Sequence, residues 1–323
     1  MGFTTPLGWA ASRWQLGPRA LRWGTTAALV TSVLIVLGGV VVRVTGSGLG
    51  CPTWPTCDGT NVIQVVPDSL HLFIEQTNRM VTGLLIVAVG WAIVAARLQR
   101  PRDRMLTRLA WSMFWLTVAN AVAGGITVLA GLNPWVVALH FVLAMGLLAC
   151  ATFTWHRARW IGGDGPRPSG AARGLAWVLV IVTAGVVATG TLVTGSGPHA
   201  GDSAEIPRMG FDWNVVVVAH GATAVAVLVI AVALAFRLRR EEGGALALTR
   251  IGIFLLMLFG QLALGVTQSL VGIPEVLVAL HVTIAALVWI GALRVLLDTD
   301  PRLWAVRDHQ LVQVANAEPV PSR

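Results

Sequence analysis

Four histidines lie inside apolar stretches of this 323-residue chain: His71, His140, His220 and His281. Two of them end the same four-residue string, VALH, at positions 137–140 and 278–281. A second string, VTGSG, stands ahead of each copy, at 44–48 and 193–197. The shared order marks an internal duplication that keeps a histidine in each half. A charged group in lipid costs roughly 2.5–3.5 kcal/mol on insertion scales, so ionisable side chains at that depth mark function. Imidazole is the usual axial ligand of haem iron, and the facing helices of a four-helix bundle are its usual frame. The spacing therefore reads as one bis-histidine haem per half, His71 with His140 and His220 with His281. Hydrogen-bonded packing accounts for one such histidine and poorly for four. A zinc or di-iron centre would want carboxylates or further histidines beside these, and only Glu75 offers itself. His156, His199 and His309 fall at helix ends or in loops and read as solvated surface groups.

Glu75 follows His71 by one helical turn, and Asn78 follows Glu75 by another, so the three share one stripe. The second half has Val215, Val216, Val217 and Val218 leading up to His220 and no acid. A buried acid in only one half points to one reactive site and one structural or electron-transfer haem. An ion pair with Arg79 at i+4 is the plainer reading of Glu75, and the two are compatible. Arg43 and Arg79 read as long side chains able to reach haem propionates. Cys51 and Cys57 flank a Pro-Thr-Trp-Pro-Thr loop, where either a staple or a redox-active disulfide is permitted. Cys150 reads as a small buried apolar residue.

The elements that must hold these residues follow from composition. The chain is 55% hydrophobic and 12% charged, with a mean hydropathy of +0.74. That balance excludes a soluble domain and belongs to a polytopic membrane protein. Its net charge of +8 comes entirely from arginine, with no lysine. The arginines sit between apolar runs, which argues against a nucleic-acid patch. Eight runs are long enough to cross hydrocarbon: 24–44, 70–96, 108–130, 135–155, 174–194, 213–236, 250–271 and 275–297. The first lacks a small-residue cleavage site and reads as a retained helix.

Arg13, Arg19, Arg22, Arg97, Arg100, Arg102, Arg104, Arg157, Arg159, Arg167, Arg173, Arg237, Arg239, Arg240, Arg302, Arg307 and Arg323 all fall on one side, which the positive-inside rule makes cytoplasmic. Asp58, Asp68, Asp202, Glu205 and Asp212 fall on the other, with Arg208 alone among them. The expected fold is an all-α integral membrane protein: eight transmembrane helices in two parallel-repeat four-helix bundles, both termini cytoplasmic. Its parts are a cytoplasmic arm (1–23), a first four-helix half (24–155), a cytoplasmic linker (156–173), a second four-helix half (174–297) and a cytoplasmic tail (298–323). The histidine sites fall in the outer half of a cell membrane. The last two runs of each half align at a constant offset that matches His140 with His281, Gly124 with Gly265, Gly131 with Gly272 and Asn120 with Gln261. The glycines permit close helix approach, and the two amides read as interhelical hydrogen bonds.

The run VTGSGLGCPTWPTCDG, then IEQTNR, the two VALH strings, the second VTGSG and the later histidines resemble the haem A synthases, the CtaA family. The resemblance covers about residues 24–297. It implies an oxidoreductase that converts the C8 methyl group of haem O to a formyl group by two hydroxylations and loss of water. It implies haem b on His220 and His281, a substrate haem in the first half, Glu75 as the catalytic acid, and a functional Cys51–Cys57 disulfide. It also implies haem O synthase and terminal oxidase assembly as partners, an electron donor, and an oligomer as one arrangement. A departure accompanies it: the family motif Glu-x-x-His-Arg reads Glu75-Gln-Thr-Asn78-Arg79 here. Either His71 takes over that ligation or His140 holds the substrate haem alone. A non-catalytic di-haem cytochrome b and a haem transporter or chaperone are the competing readings; the first has no use for a buried Glu75, and the second calls for gating loops.

Overall fold

The computed structural model describes residues 5–57, 59–60, 69–159, 168–199, 201–202, 206–300 and 303. Asp58, Asp68, Arg167, Glu205, Arg302, Arg307, His309 and Arg323 lie outside the described residues, as do parts of the arm, the linker and the tail.

Hydrocarbon offers a backbone no water, so each span must satisfy its own N–H and C=O groups, and helices do this. The described residues hold a short helix α1 (Pro6–Arg13) and eight long ones: α2 (Pro18–Val44), α3 (Leu70–Arg97), α4 (Arg104–Leu129), α5 (Pro134–Arg157), α6 (Gly170–Ser196), α7 (Trp213–Leu238), α8 (Ala245–Leu270) and α9 (Glu275–Thr299). All eight are long and apolar enough to cross a membrane. The chain is thus an all-helical multi-pass membrane protein, as expected. The helices outrun most of the expected spans because polar interfacial turns continue them. Side chains of Ser69, Asp103, Asn133, Ser169 and Asp212 cap α3, α4, α5, α6 and α7 by accepting from backbone N–H groups. Helix α1 was not legible among the arm's few apolar residues.

Buried hydroxyls follow the same rule. Thr25, Ser32, Thr117, Thr152, Thr183 and Thr299 each donate to a carbonyl four residues back, so the helix absorbs its own polar side chains.

Helix contacts repeat when α2, α3, α4 and α5 are exchanged for α6, α7, α8 and α9. Neighbours in sequence pair as hairpins, while α2–α9, α5–α6 and α5–α9 join the halves. One core fills the first half around Leu85, Met113 and Leu147, and another fills the second around Leu179, Phe254 and Leu293. A third lies between them, from Val36, Val40, Leu148 and Ala286. The turns ahead of α5 and α9 are alike. Gly131-Leu132 and Gly272-Ile273 all have positive φ, and Leu132 and Ile273 donate to Thr127 and Gln268 carbonyls at 2.9 and 2.8 Å. Left-handed backbone is costly for a bulky residue, so its presence at both turns shows how firmly the helices on either side determine it.

At the arginine-rich ends, Asp298 accepts from Arg250 at 2.8 Å, with Arg294 at 3.7 Å and His156 at 4.0 Å. His156 is buried, not solvated as its place at a helix end had indicated. Glu241 accepts from the Ser169 backbone at 2.8 Å and from Arg237 at 2.6 Å. Burial pushes its carboxyl pKa up, but these donors outweigh that and hold it below the ordinary value. Asp298→Asn should leave two guanidiniums facing a neutral amide. We expect a loss of about 1–3 kcal/mol, less than for a fully dry pair because Arg250 is partly exposed. Thermal unfolding of the detergent-solubilised protein checks this, and an unchanged midpoint would count against the network.

Candidate functional site

The intramembrane histidines are placed by helix starts. His140 is the seventh residue of α5, His281 the seventh of α9 and His220 the eighth of α7. Each rests against a glycine on a neighbouring helix. A Cβ on Gly124 would lie 3.3 Å from His140 Cε1, on Gly265 3.1 Å from His281 Cε1, and on Gly190 3.2 Å from His220 Cε1. The glycines leave room for the imidazole edges. The rings of His220 and His281 lie with centroids 6.3 Å apart at an interplanar angle of 65°. His220 Nδ1 is 3.2 Å from Thr189 Oγ1, while His281 Nδ1 and His140 Nδ1 are buried without a hydrogen-bond partner. Two imidazoles on facing helices, with unspent ring nitrogens, fit one iron between them: metal–imidazole bonds of about 2 Å on each side plus the ring radii match such a separation.

His71 is placed differently. It is the second residue of α3, exposed, with Nδ1 3.0 Å from Ser47 Oγ. Its carbonyl packs on Gly50, where a Cβ would come within 2.8 Å. The sequence paired His71 with His140; among the described residues no ring contact joins them, and His71 sits in the first turn where His140 sits in the second. Asn78, two turns deeper on α3, lies against Gly38 with its Oδ1 buried and unpartnered.

Glu75 is buried, and both its oxygens are engaged. Oε2 accepts from the Cys51 backbone N–H at 2.6 Å, and Oε1 accepts from Arg79 Nη2 at 2.7 Å and Nε at 3.2 Å. The expected Glu75–Arg79 pair is present. What the spacing did not show is the loop it carries: Arg79 also donates to the Thr53 and Pro55 carbonyls, each at 3.3 Å. Cys51 and Cys57 form a disulfide, with Cα atoms 4.6 Å apart. The loop they close drops Trp54 onto Gly125 of α4, where a Cβ would stand 2.4 Å from the indole. Below Trp54 an apolar cavity of about 160 Å³ opens between α3 and α4, lined by Ile86, Val89, Phe114, Val118 and Val122 among others.

Other expectations divide. Arg43, read as a propionate contact, donates to the Thr194 carbonyl at 2.7 Å and so ties α2 to α6. Arg79 spends its donors on the loop. Gln261 donates across to the His281 carbonyl at 2.9 Å, the interhelical bond anticipated, whereas Asn120 donates to Leu116 of its own helix at 2.8 Å. Cys150 is buried. Outside the membrane, the loops after α2 and α6 are stitched together: Gly48 N–H donates to the Gly201 carbonyl at 2.8 Å, and Ser47 bridges Asp202.

The family model COX15-CtaA, described as cytochrome oxidase assembly protein, matches residues 21–293. The chain belongs to this family. It is similar to the Heme A synthase of Lysinibacillus sphaericus (strain C3-41), 33% identical over 129 residues, 39% of this chain and 41% of that one. It is also similar to the Heme A synthases of Geobacillus kaustophilus (strain HTA426), 32% identical over 130 residues, and Geobacillus thermodenitrificans, 31% identical over 130 residues; each match covers 39% of this chain and 40% of the relative. The chain thus spans about two fifths of the length of the curated relatives it matches.

Removing the Glu75 carboxylate removes the acceptor that pins the cysteine loop to α3. Hydrogen bonds to a charged group contribute about 1.5–3 kcal/mol, so Glu75→Ala should speed reduction of the Cys51–Cys57 disulfide by about tenfold or more. Timed dithiothreitol treatment followed by thiol alkylation measures this; an unchanged rate would show that the loop holds without its clamp.

Proposed function

We propose that this chain is a haem A synthase: it oxidises the C8 methyl group of haem O to the formyl group of haem A. Family membership and the names of the matched relatives support the class of reaction. The observation that carries the site is the His220–His281 pair, two imidazoles from facing helices with ring centres 6.3 Å apart. These two residues would hold haem b, which supplies one-electron transfer when bound. The first half would hold the substrate haem through His140, with Glu75 nearby on α3. We read the halves as parallel repeats with cytoplasmic termini. The histidines then lie in the outer half of the plasma membrane, close to the cysteine loops.

The reaction replaces one hydrogen of the methyl carbon by hydroxyl twice, and the resulting geminal diol loses water to leave the formyl group. Each hydroxyl oxygen comes from water or dioxygen: with water, an acceptor outside this chain takes the two electrons and two protons released, and with dioxygen, a donor outside it supplies two electrons and the second oxygen leaves as water. The protein's share is to hold the methyl carbon in place, exclude bulk water and take up protons. Glu75 is the proton-handling group within reach of that half, and its clamp role constrains it. Three of the carboxylate's four lone-pair sites already accept from N–H donors, so a proton would enter at the remaining site on Oε2 and, by neutralising the charge, would weaken the hold on Arg79 and the Cys51 amide. Haem O synthase and the terminal oxidase are the partners this product implies, upstream and downstream.

Pigment extraction from the purified protein tests the reading. Haem b should accompany haem O or haem A, and haem b alone at two per chain would favour a cytochrome. Glu75→Ala should keep haem b and abolish haem A, while His281→Ala should lose haem b. An undiminished haem A yield in the Glu75 variant would remove the acid from the chemistry.

A further inference from the structure

We propose that the first-half pocket offers imidazole from one side only, His140, and presents Asn78 on the other, so that a haem held there takes a small exogenous ligand which the second-half haem cannot. The inference rests on the reading of both halves as haem pockets.

Packing sets the register between the halves. On α3 the buried stripe runs Leu85, Val89, Ala92, Ala96; on α7 it runs Val227, Ala231, Leu234, Leu238, with the same spacing and within one residue of the same distance from the helix end. Laying one stripe on the other puts Asn78 at the place of His220. On α2, Leu21, Thr25, Ala28, Ser32, Val40 and Val44 are buried in the pattern of Ala172, Ala176, Leu179, Thr183, Thr191 and Gly195 on α6. That overlay puts Gly38 on Thr189 and Gly39 on Gly190. The contacts agree independently: Asn78 packs on Gly38, and His220 packs on Thr189 and Gly190. His140 and His281 correspond directly, each with its glycine and its unpartnered Nδ1. The two pockets therefore share one histidine and differ in the other.

A carboxamide is a poor ligand for haem iron but both donates and accepts hydrogen bonds. Asn78 Oδ1 is buried with no partner, which is costly unless something else meets it. His71 does not fill the gap. Seven residues outward along α3 is about 10 Å, and its ring is engaged by Ser47. Glu75 lies one turn outward of Asn78 on the same stripe, so the side left open is the side that carries the acid. A water molecule or a diatomic ligand is the size and chemistry that an amide facing an open iron would accommodate.

Carbon monoxide is the probe, because ferrous haem with two imidazoles binds it poorly and haem with one binds it readily. In the reduced, purified protein carrying both haems, carbon monoxide should shift the Soret absorption of half the haem. Asn78→His should abolish that shift, with the unshifted spectrum of the His220–His281 haem serving as the control for folding. If Asn78→His fails to fold, Asn78→Ala should still bind carbon monoxide but change its infrared stretching frequency. His71→Ala should leave the carbon monoxide fraction as in the unmodified chain. Two haems with no carbon monoxide shift, or a shift gained only in His71→Ala, would overturn the inference and leave the synthase reading standing. A single haem that His281→Ala removes and His140→Ala does not would overturn the inference and leave the His220–His281 site standing, whereas haem b that survives His281→Ala would overturn the reading it rests on.

Discussion

Hydrocarbon supplies no hydrogen bonds, and the rest of this structure answers to that fact. Backbone groups are satisfied within helices, and threonine and serine hydroxyls turn back onto their own helix carbonyls. What remains unspent at depth is then informative. His140 Nδ1, His281 Nδ1 and Asn78 Oδ1 are among the buried side-chain atoms that find no hydrogen-bond partner, and Gln261 Oε1 beside His281 is another. The first three lie two or three turns into helices that enter from the same side. A protein assembled only for packing would have covered them with apolar side chains, because in lipid a methyl group fits where an unpaired amide or imidazole is penalised.

The duplication supplies an internal comparison that a single bundle would lack. α4 and α5 match α8 and α9 in buried stripe, in turn geometry and in the glycine under each histidine. α3 and α7 match only in their inner halves. Toward its N-terminal end, α7 carries valines and one histidine, and α3 carries Glu75, Asn78 and Arg79. Around the histidines, the difference in side-chain chemistry falls mainly on one end of α3 and on the loop that rests on it. The inner halves keep the two bundles packed alike, so change at the outer end of α3 does not disturb the frame that holds His140.

Much of this was legible in the amino-acid order. Eight spans follow from hydropathy because lipid imposes a length on them, and the histidines follow because an imidazole in an apolar run has few other uses. The register between halves was not legible. The two VTGSG strings and the spacing to His71 and His220 invite a match that packing does not follow. The first string forms a turn beyond α2, whereas most of the second lies in the last turn of α6. Loops of different length then carry His71 to a helix start and His220 two turns inside. His156 was misread for a related reason: a helix end looks solvated in sequence, yet Asp298 on α9 meets it only in three dimensions. The hold of Glu75 on the Cys51 amide was equally invisible, since no spacing rule relates a loop N–H to a carboxylate 24 residues away.

That last contact joins the two features that distinguish the halves. The acid and the disulfide loop occur only in the first half, and they are bonded to each other. Arg79 completes the joint by holding both the carboxylate and two loop carbonyls, so the three groups form one hydrogen-bonded unit. Trp54 extends the same unit into the membrane, where it seats on Gly125 above the apolar cavity between α3 and α4. Glu75 is therefore linked to Trp54 through hydrogen bonds and a short loop. The second half keeps its paired histidines and, among the described residues, shows no such linkage. Electron transfer requires only a fixed haem, whereas oxidation of a substrate requires a site that can admit it, hold it and close. The unit of Glu75, Arg79 and the cysteine loop stands on α3, the helix that carries Asn78 where α7 carries His220.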